Sequence, residues 1–251
     1  MKVYFIGAGP GDPELITLKG KKIINSADKI IYAGSLVNPE VISERKESSV
    51  VYDSAGMSLN EVISVIKESN SADIIARVHT GDPSIYGAIR EQIEILKEEG
   101  IEYEVIPGVS SFTASAAALG MEFTLPGVTQ TVICTRMSGR TEVPEKESLE
   151  KLASHKASMA IFLSVHMIEG VVESLLKGGY EKATPVAIVK KATWKDQKII
   201  VGTLSDIVEK LKGEDISRMA QILVGDFLGN KFELSKLYDE KFSHGYRKGI
   251  E

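Results

Sequence analysis

MKVYFIGAGPGDPE, Met1 to Glu14, decides how this chain is read. Val3 to Ile6 is a short apolar run that meets Gly7, Ala8, Gly9 and Pro10, then Gly11, Asp12 and Pro13. Such a run predicts a buried strand, and glycine lets the chain turn sharply and lets a ligand approach the backbone. Thr17 precedes the apolar-periodic Leu18, Ile23 and Ile24, so a helix is expected to start there. Strand, glycine loop and helix in that order form a ligand site at the carboxyl end of a parallel strand. A tight turn with no ligand satisfies the same residues.

The loop is not a dinucleotide fingerprint. Gly7 and Gly9 fit G-x-G-x-x-G, but Asp12 stands where the third glycine belongs. Pro10 and Pro13 leave few N–H groups for a pyrophosphate, and no Gly-Lys-Ser/Thr follows. A carboxylate at this place repels phosphate, so the loop suits a ligand that is not phosphate-rich.

The rest of the composition narrows the class. A chain of 251 residues, 43% hydrophobic and 26% charged, is ordinary globular protein, enough for one large or two small domains. Its net charge of -5 argues against a general nucleic-acid binder, while local basic groups still allow an anionic small molecule. The lone Cys134 permits no internal disulfide and fits a reducing cytosol. The four histidines lie far apart, so no metal site is expected. No signal peptide is apparent and no apolar run nears the roughly 20 residues of a membrane span, so no membrane role is expected.

Further strands are expected at Lys29–Tyr32, Ser49–Tyr52, Ile74–His79 and Glu102–Ile106. The second ends in Ala33-Gly34-Ser35, a plain turn or a pocket lining. Ser58 and Glu61 have the spacing of a capping box ahead of a helix, and Gly100 suits the C′ position of the helix over Arg90–Leu96. His79 runs into TGDPSIYG, Thr80 to Gly87, a second Gly-Asp-Pro loop at a strand end. Asp82 there either caps the next helix or accepts hydrogen bonds from a ligand. Pro107 to Ser111 leads into a helix of small residues, Phe112 to Leu119. Periodicity lapses over Gly120–Val128, which places the domain boundary at 120/121.

The second half resumes with a strand at Thr131–Thr135 and a loop carrying Arg136 and Arg140. Paired arginines fork onto carboxylates or form a solvated charge pair. Strands follow at Ala160–Ser164, Val186–Val189, Lys198–Val201 and Gln221–Val224, with helices at Ile168–Leu176 and Ser205–Leu211. Lys190 to Gln197 reads as a hairpin connection, and the tail from Gly229 as polar and frayed.

Taken together, GAGPGDPELITLKG (Gly7–Gly20), TGDPSIYG (Thr80–Gly87), IPGVSS (Ile106–Ser111), TPVAIVKKATWKDQ (Thr184–Gln197) and VGTL (Val201–Leu204) resemble the tetrapyrrole methylase family over nearly the whole chain. YAGSLV (Tyr32–Val37) and TRMSGRTEVPE (Thr135–Glu145) are similar to the branch that methylates a corrin precursor at C11. Methylation at another ring carbon or of uroporphyrinogen III, or a non-enzymatic sensor of the methyl donor, are the rivals. The resemblance implies two α/β domains, 1–120 and 121–251, with a ligand cleft between them, a homodimer, and S-adenosylmethionine as donor; the single thiol adds the expectation of a cytoplasmic setting. It implies donor contacts at Pro10, Thr80, Gly81, Asp82, Ile85, Ser110, Ser111, Ser164, Ala187 and Ala220.

The substrate it implies is a many-carboxylate macrocycle whose ring carbon is already nucleophilic. Ser35, Arg136, Met137, Arg140 and Lys190 are the candidate substrate residues, with Lys191 a further basic group. Met137 and Trp194 either face the macrocycle or fill core. Asp82 and His79 are the catalytic candidates, for positioning or proton handling.

Overall fold

The computed structural model describes residues 1–250 and divides into two compact units. Unit 1 comprises Met1–Ala114 with Lys191–Gln197; unit 2 comprises Ser115–Lys190 and the chain from Lys198 onward.

Unit 1 is built on five strands, β1 (Lys2–Gly7), β2 (Lys29–Tyr32), β3 (Val50–Asp53), β4 (Ile74–His79) and β5 (Glu102–Ile106). They lie in the order β3-β2-β4-β1-β5, and every pairing is parallel. Successive side chains of a strand point to opposite faces, so a strand apolar on both faces is covered on both. β1 does this with Val3 and Phe5 on one side and Ile6 on the other. Ile6, Ala76 and Val78 pack with Ile24 of helix α1 (Leu18–Ser26). Val3, Phe5 and Ile75 pack with Ile66 of α2 (Leu59–Lys67) and with Ile93 and Leu96 of α3 (Arg90–Glu98).

The expected local signals are present. Thr17 caps α1 by accepting from the Gly20 N–H at 3.1 Å, and a Cβ at Gly20 would stand 2.8 Å from Ile6, so α1 lies close on β1. Ser58 and Glu61 form the capping box of α2. Gly100, at φ +66°, follows α3.

The faces matter for the site. From β1 the chain crosses one face through α1 to β2; from β4 it crosses the other face through α3 to β5. The loops after these two neighbouring strands therefore part in opposite directions. That is a topological switch point, the place where open parallel sheets bind ligands.

The same strands carry an unusual buried pair. Arg77 and His79 of β4 point into the α3 face. The Arg77 guanidinium donates to Gln92 Oε1 and to the Ile31 carbonyl, both at 3.3 Å, and burial lowers its pKa to about 10. His79 is 6% exposed, its ring 6.0 Å from that of Phe5. Burial, with the Arg77 charge adding to it, pushes its pKa down to about 3.

Unit 2 has β6 (Val132–Arg136), β7 (Ser158–Phe162), β8 (Pro185–Lys190), β9 (Lys198–Thr203) and β10 (Ala220–Val224), in the order β6-β7-β10-β8-β9. Only β6 and β7 are parallel. Val171, Val172 and Leu175 of α6 (Ile168–Lys177) bury against Met159, Ile161, Val186, Ile188 and Ile222. Helix α4 (Ser111–Leu119) holds the unit division at Ala114/Ser115.

Three features depart from the expected elements. The strand expected at Ala160–Ser164 is displaced to Ser158–Phe162, because Leu163 adopts φ 54° and breaks the pleat. The helix expected from Ser205 begins at Ile207 (α7, Ile207–Leu211), because the Asp206 carboxylate is turned back onto the Thr203 N–H at 2.6 Å. A short α5 (Leu149–Ala153), capped by Ser148, was not anticipated.

Two measurements follow from this packing. A Cβ on Gly7 would stand 2.6 Å from both the Gly108 Cα and the Gly81 carbonyl oxygen. Gly7→Ala is expected to lose about 3 kcal/mol in urea unfolding, since backbone cannot move aside as a side chain does. Gly56→Ala, with nothing within 4 Å, is the control that should stay near wild type. His79 makes stability fall on acidification: below an unfolded pKa of about 6.5 the unfolded chain takes a proton that the folded chain refuses down to about 3. His79→Leu should flatten the stability profile between pH 6 and 4, removing at most about 1.4 kcal/mol per pH unit. An unchanged slope would mean that the imidazole is protonated in the folded protein.

Candidate functional site

The two Gly-Asp-Pro loops meet at the switch point of unit 1. Gly9 N–H donates to the Gly81 carbonyl at 3.2 Å, and Gly81 N–H donates to the Gly9 carbonyl at 2.8 Å. Both residues have positive φ, +80° and +62°, which glycine adopts without a steric penalty. The Asp82 carboxylate then reaches the loop after β5, accepting the Gly108 N–H at 2.9 Å. Its other oxygen accepts the Ser84 N–H at 2.8 Å and the Ser84 hydroxyl. One carboxylate thus joins the ends of β4 and β5, while the glycine pair joins β4 to β1.

Burial alone would raise the Asp82 pKa, but the hydrogen bonds from the Ser84 hydroxyl, the Gly108 N–H and the Ser84 N–H hold it below the usual carboxylate value. Asp82 is therefore ionised at neutral pH. His79, whose carbonyl accepts the Ala8 N–H at 2.8 Å, keeps a neutral ring with no hydrogen-bond partner at Nε2. Neither is a ready proton carrier at neutral pH, and both fix position.

The other unit 1 candidates lie around this pair. Thr80 is exposed and Ile85 is half-buried. Ser110 is buried, and the Cβ position of Gly81 lies 3.7 Å from the Ser110 Cα and the Ser111 N. Ser111 opens α4. The Pro10 carbonyl accepts the Trp194 indole N–H at 2.8 Å. Ser35 is exposed in the turn after β2, beside Gly34, whose N–H is held by Asp53 at 2.9 Å. Gly7–Glu14, Thr80–Ile89 and Pro107–Ser111 contain no lysine or arginine. Hydroxyls, backbone groups and a few carboxylates are what these loops offer.

In unit 2 the strand register gathers the basic candidates at one end of the sheet. Arg136 stands opposite Phe162, and Ala220 opposite Lys190, which in turn faces Lys198. Arg136 spends its fork on its own loop: Nη1 donates to the Thr141 carbonyl at 3.0 Å and Nη2 to that of Glu142 at 2.7 Å. Met137 N–H donates to Ser164 Oγ at 2.9 Å, and that hydroxyl donates to the Phe162 carbonyl at 2.7 Å. Ser164 thus has no hydroxyl hydrogen left for a ligand and no exposed surface. Ala187 is likewise fully buried, mid-strand between β9 and β10.

The Met137 side chain packs on the unit 2 core and against Gly170 of α6, while Met167 lies 3.3 Å from the Cβ position of Gly139. This interlock latches the arginine loop to α6. Arg140 is exposed on that loop with no ion pair among the described residues, whereas Lys190 donates to the Asp215 carbonyl. Ala220 opens β10. Among the described residues no His/Cys/Asp/Glu group could hold a metal, and no helix is long and apolar enough to cross a membrane.

Sequence reasoning missed Asn38, Thr193 and Ser84. Asn38 Nδ2 donates to the Gly11 carbonyl at 2.9 Å, and Thr193 Oγ1 accepts the Asp12 N–H at 2.9 Å. Only Ser84 had a local signal, its place two residues after Asp82 in a side-chain-closed turn.

Known proteins place the chain. The family model of the Tetrapyrrole (Corrin/Porphyrin) Methylases matches residues 2–208. A cobalt-precorrin-4 C(11)-methyltransferase of Methanocaldococcus jannaschii is 56% identical over 249 residues, 98% of this chain and 96% of the relative. A precorrin-4 C(11)-methyltransferase of Pseudomonas aeruginosa is 47% identical over 251 residues, 99% of this chain and 100% of the relative. The X-ray structure of a cobalamin biosynthetic enzyme, cobalt precorrin-4 methyltransferase, CbiF, aligns with a TM-score of 0.88 at 45% identity, covering 91% of this chain and 96% of that one. With a family model spanning most of its length and relatives matched nearly end to end, this chain belongs to the tetrapyrrole (corrin/porphyrin) methylases.

Proposed function

We propose that this chain is an S-adenosylmethionine-dependent C-methyltransferase acting on precorrin-4 or its cobalt form at ring carbon C11, in cobalamin biosynthesis. The observation that carries the reading is near-full-length identity of 56% and 47% to two relatives named for that one methylation. The same reading includes a homodimer, on family resemblance, and a cytoplasmic setting, on the single thiol.

The unit 1 loops fit such a donor by their chemistry. The donor carries a sulfonium, an ammonium, one carboxylate and ribose hydroxyls, a net positive charge, and no phosphate. Loops without a lysine or arginine, with an ionised Asp82, suit a cationic ligand and disfavour a phosphate-rich one. Pro10, Thr80, Gly81, Asp82, Ile85, Ser110 and Ser111 are the residues that would hold it. When bound, the donor supplies a methyl group whose bonding pair stays with sulfur as the group leaves. The protein holds the reactants in line, because the carbon nucleophile is already electron-rich. Asp82 ties the loop after β4 to the loop after β5, and Ser84 and Gly108 keep Asp82 ionised. No residue is asked to take a proton in the transfer step.

The substrate's carboxylates would meet the basic end of the unit 2 sheet. Arg140 is the direct contact, since its guanidinium is exposed and pairs with no acid among the described residues, while Arg136 shapes the loop that carries it.

The reading is tested with methyl-labelled S-adenosylmethionine and both metal forms of precorrin-4, the label being located by carbon NMR. Label at C11 is expected; label at another ring carbon would overturn the regiochemistry, and none with either substrate would overturn the activity. Arg140→Gln should raise the tetrapyrrole KM about three- to fivefold, the worth of one exposed ion pair, with kcat within about twofold. An unmoved KM would remove Arg140 from substrate binding.

A further inference from the structure

The loop after β1 is held from outside. Pro10, Gly11 and Asp12 each direct one backbone group at a side chain distant in sequence. The Pro10 carbonyl accepts from Trp194 Nε1 at 2.8 Å, the Gly11 carbonyl from Asn38 Nδ2 at 2.9 Å, and the Asp12 N–H donates to Thr193 Oγ1 at 2.9 Å. Two of the three partners come from the Lys191–Gln197 segment, whose flanking strands β8 and β9 belong to unit 2 while the segment itself belongs to unit 1. The Trp194 indole lies directly over Gly11, where a Cβ would collide with it.

The segment is itself braced and strained. Lys191 Nζ sits 5.3 Å from the Trp194 ring centroid and pairs with Asp196 at 2.5 Å. Lys191 and Thr193 adopt φ 49° and 70°, and a β-branched residue there is an outlier. Such strain persists only where surrounding contacts over-determine it, and it clusters at ligand clamps. What Thr193 and Trp194 hold in return is the loop at the switch point.

We propose that Trp194 is a positioning residue for the methyl donor: by holding the Pro10 carbonyl it keeps the β1 loop in the conformation that receives the ligand. This rests on the donor site assigned above. Removing the indole N–H leaves a carbonyl of the buried Pro10 without its partner, so the loop spends part of its time elsewhere. Apparent donor affinity falls by the fraction of molecules whose loop is out of place, while a molecule that has bound the donor reacts as before. Trp194 is also the only tryptophan of the chain, so its emission reports on this loop alone.

The experiment is calorimetric titration of S-adenosylhomocysteine into wild type, Trp194→Phe and Thr193→Val, beside a titration of wild-type tryptophan emission. Trp194→Phe keeps an aromatic ring over Gly11 and loses only the donor; Thr193→Val removes the acceptor for Asp12 and serves if the first variant folds poorly. The expected result is a Kd raised about five- to tenfold in Trp194→Phe, and raised in Thr193→Val. Its kcat at saturating donor should stay within about twofold, and the wild-type emission change should saturate at the calorimetric Kd. A purely structural Trp194 would lower the unfolding temperature and leave Kd at the wild-type value, which overturns the proposal. Wild-type emission that stays flat through saturation overturns it as well. Failure of wild type itself to bind S-adenosylhomocysteine would instead overturn the donor site, and this role with it.

Discussion

Two glycines exchanging backbone hydrogen bonds across the ends of adjacent parallel strands set the geometry on which unit 1 depends. Gly9 and Gly81 meet because both take positive φ, which glycine adopts without penalty. Gly7 and Gly108 close the same junction, each leaving no room for a side chain against the other or against the Gly81 carbonyl. Once these backbones are in contact, Asp82 is in reach of the Gly108 N–H and the third strand end is fixed. The surface that results is backbone and hydroxyl rather than charged side chain. No lysine or arginine stands in the three loops that meet there.

Much of this frame was legible in the sequence because its causes are local. An apolar run stopped by glycine marks β1, Thr17 marks the start of α1, and Ser58 with Glu61 marks α2; each signal lies within four residues of what it determines. The two Gly-Asp-Pro loops were also legible as loops at strand ends, because each follows a mainly apolar run. What was hidden depends on register or on distance. Trp194 finds its acceptor 184 residues away. Ser164 reads as a polar residue ending a strand, but its hydroxyl turns inward because Leu163 adopts a left-handed conformation with no glycine or asparagine to announce it. The mainly antiparallel order of unit 2 was equally silent, because an α/β rhythm in the chain does not say which strands become neighbours.

Charge resolves in the same way. The chain is acidic overall, and most of its candidate cations are already engaged: Arg136 with three carbonyls of its own loop, Lys190 with Asp215, Lys191 with Asp196. A guanidinium committed to backbone carbonyls keeps its charge while losing its freedom, so Arg136 contributes field and shape. Arg140, four residues on, keeps both charge and freedom because the loop that Arg136 braces holds it out in solvent. The two arginines that look equivalent in the sequence differ in place: one orders the loop, the other stands out in solvent.

The two titratable groups at the strand ends show what kind of chemistry the frame suits. Asp82 is held ionised by three donors, and His79 is held neutral by burial beside Arg77, so near neutral pH neither changes charge. A reaction that needed a proton delivered or removed in its slow step would want one of them poised near the working pH. Methyl transfer from a sulfonium to an electron-rich carbon makes no such demand, since the bonding pair returns to sulfur and the carbon supplies its own. Its barrier falls when the two partners are held close and in line. A junction of interlocked glycines, a locked carboxylate and a loop clamped from outside supplies rigidity of that kind, with the ionisable groups serving as fixed struts.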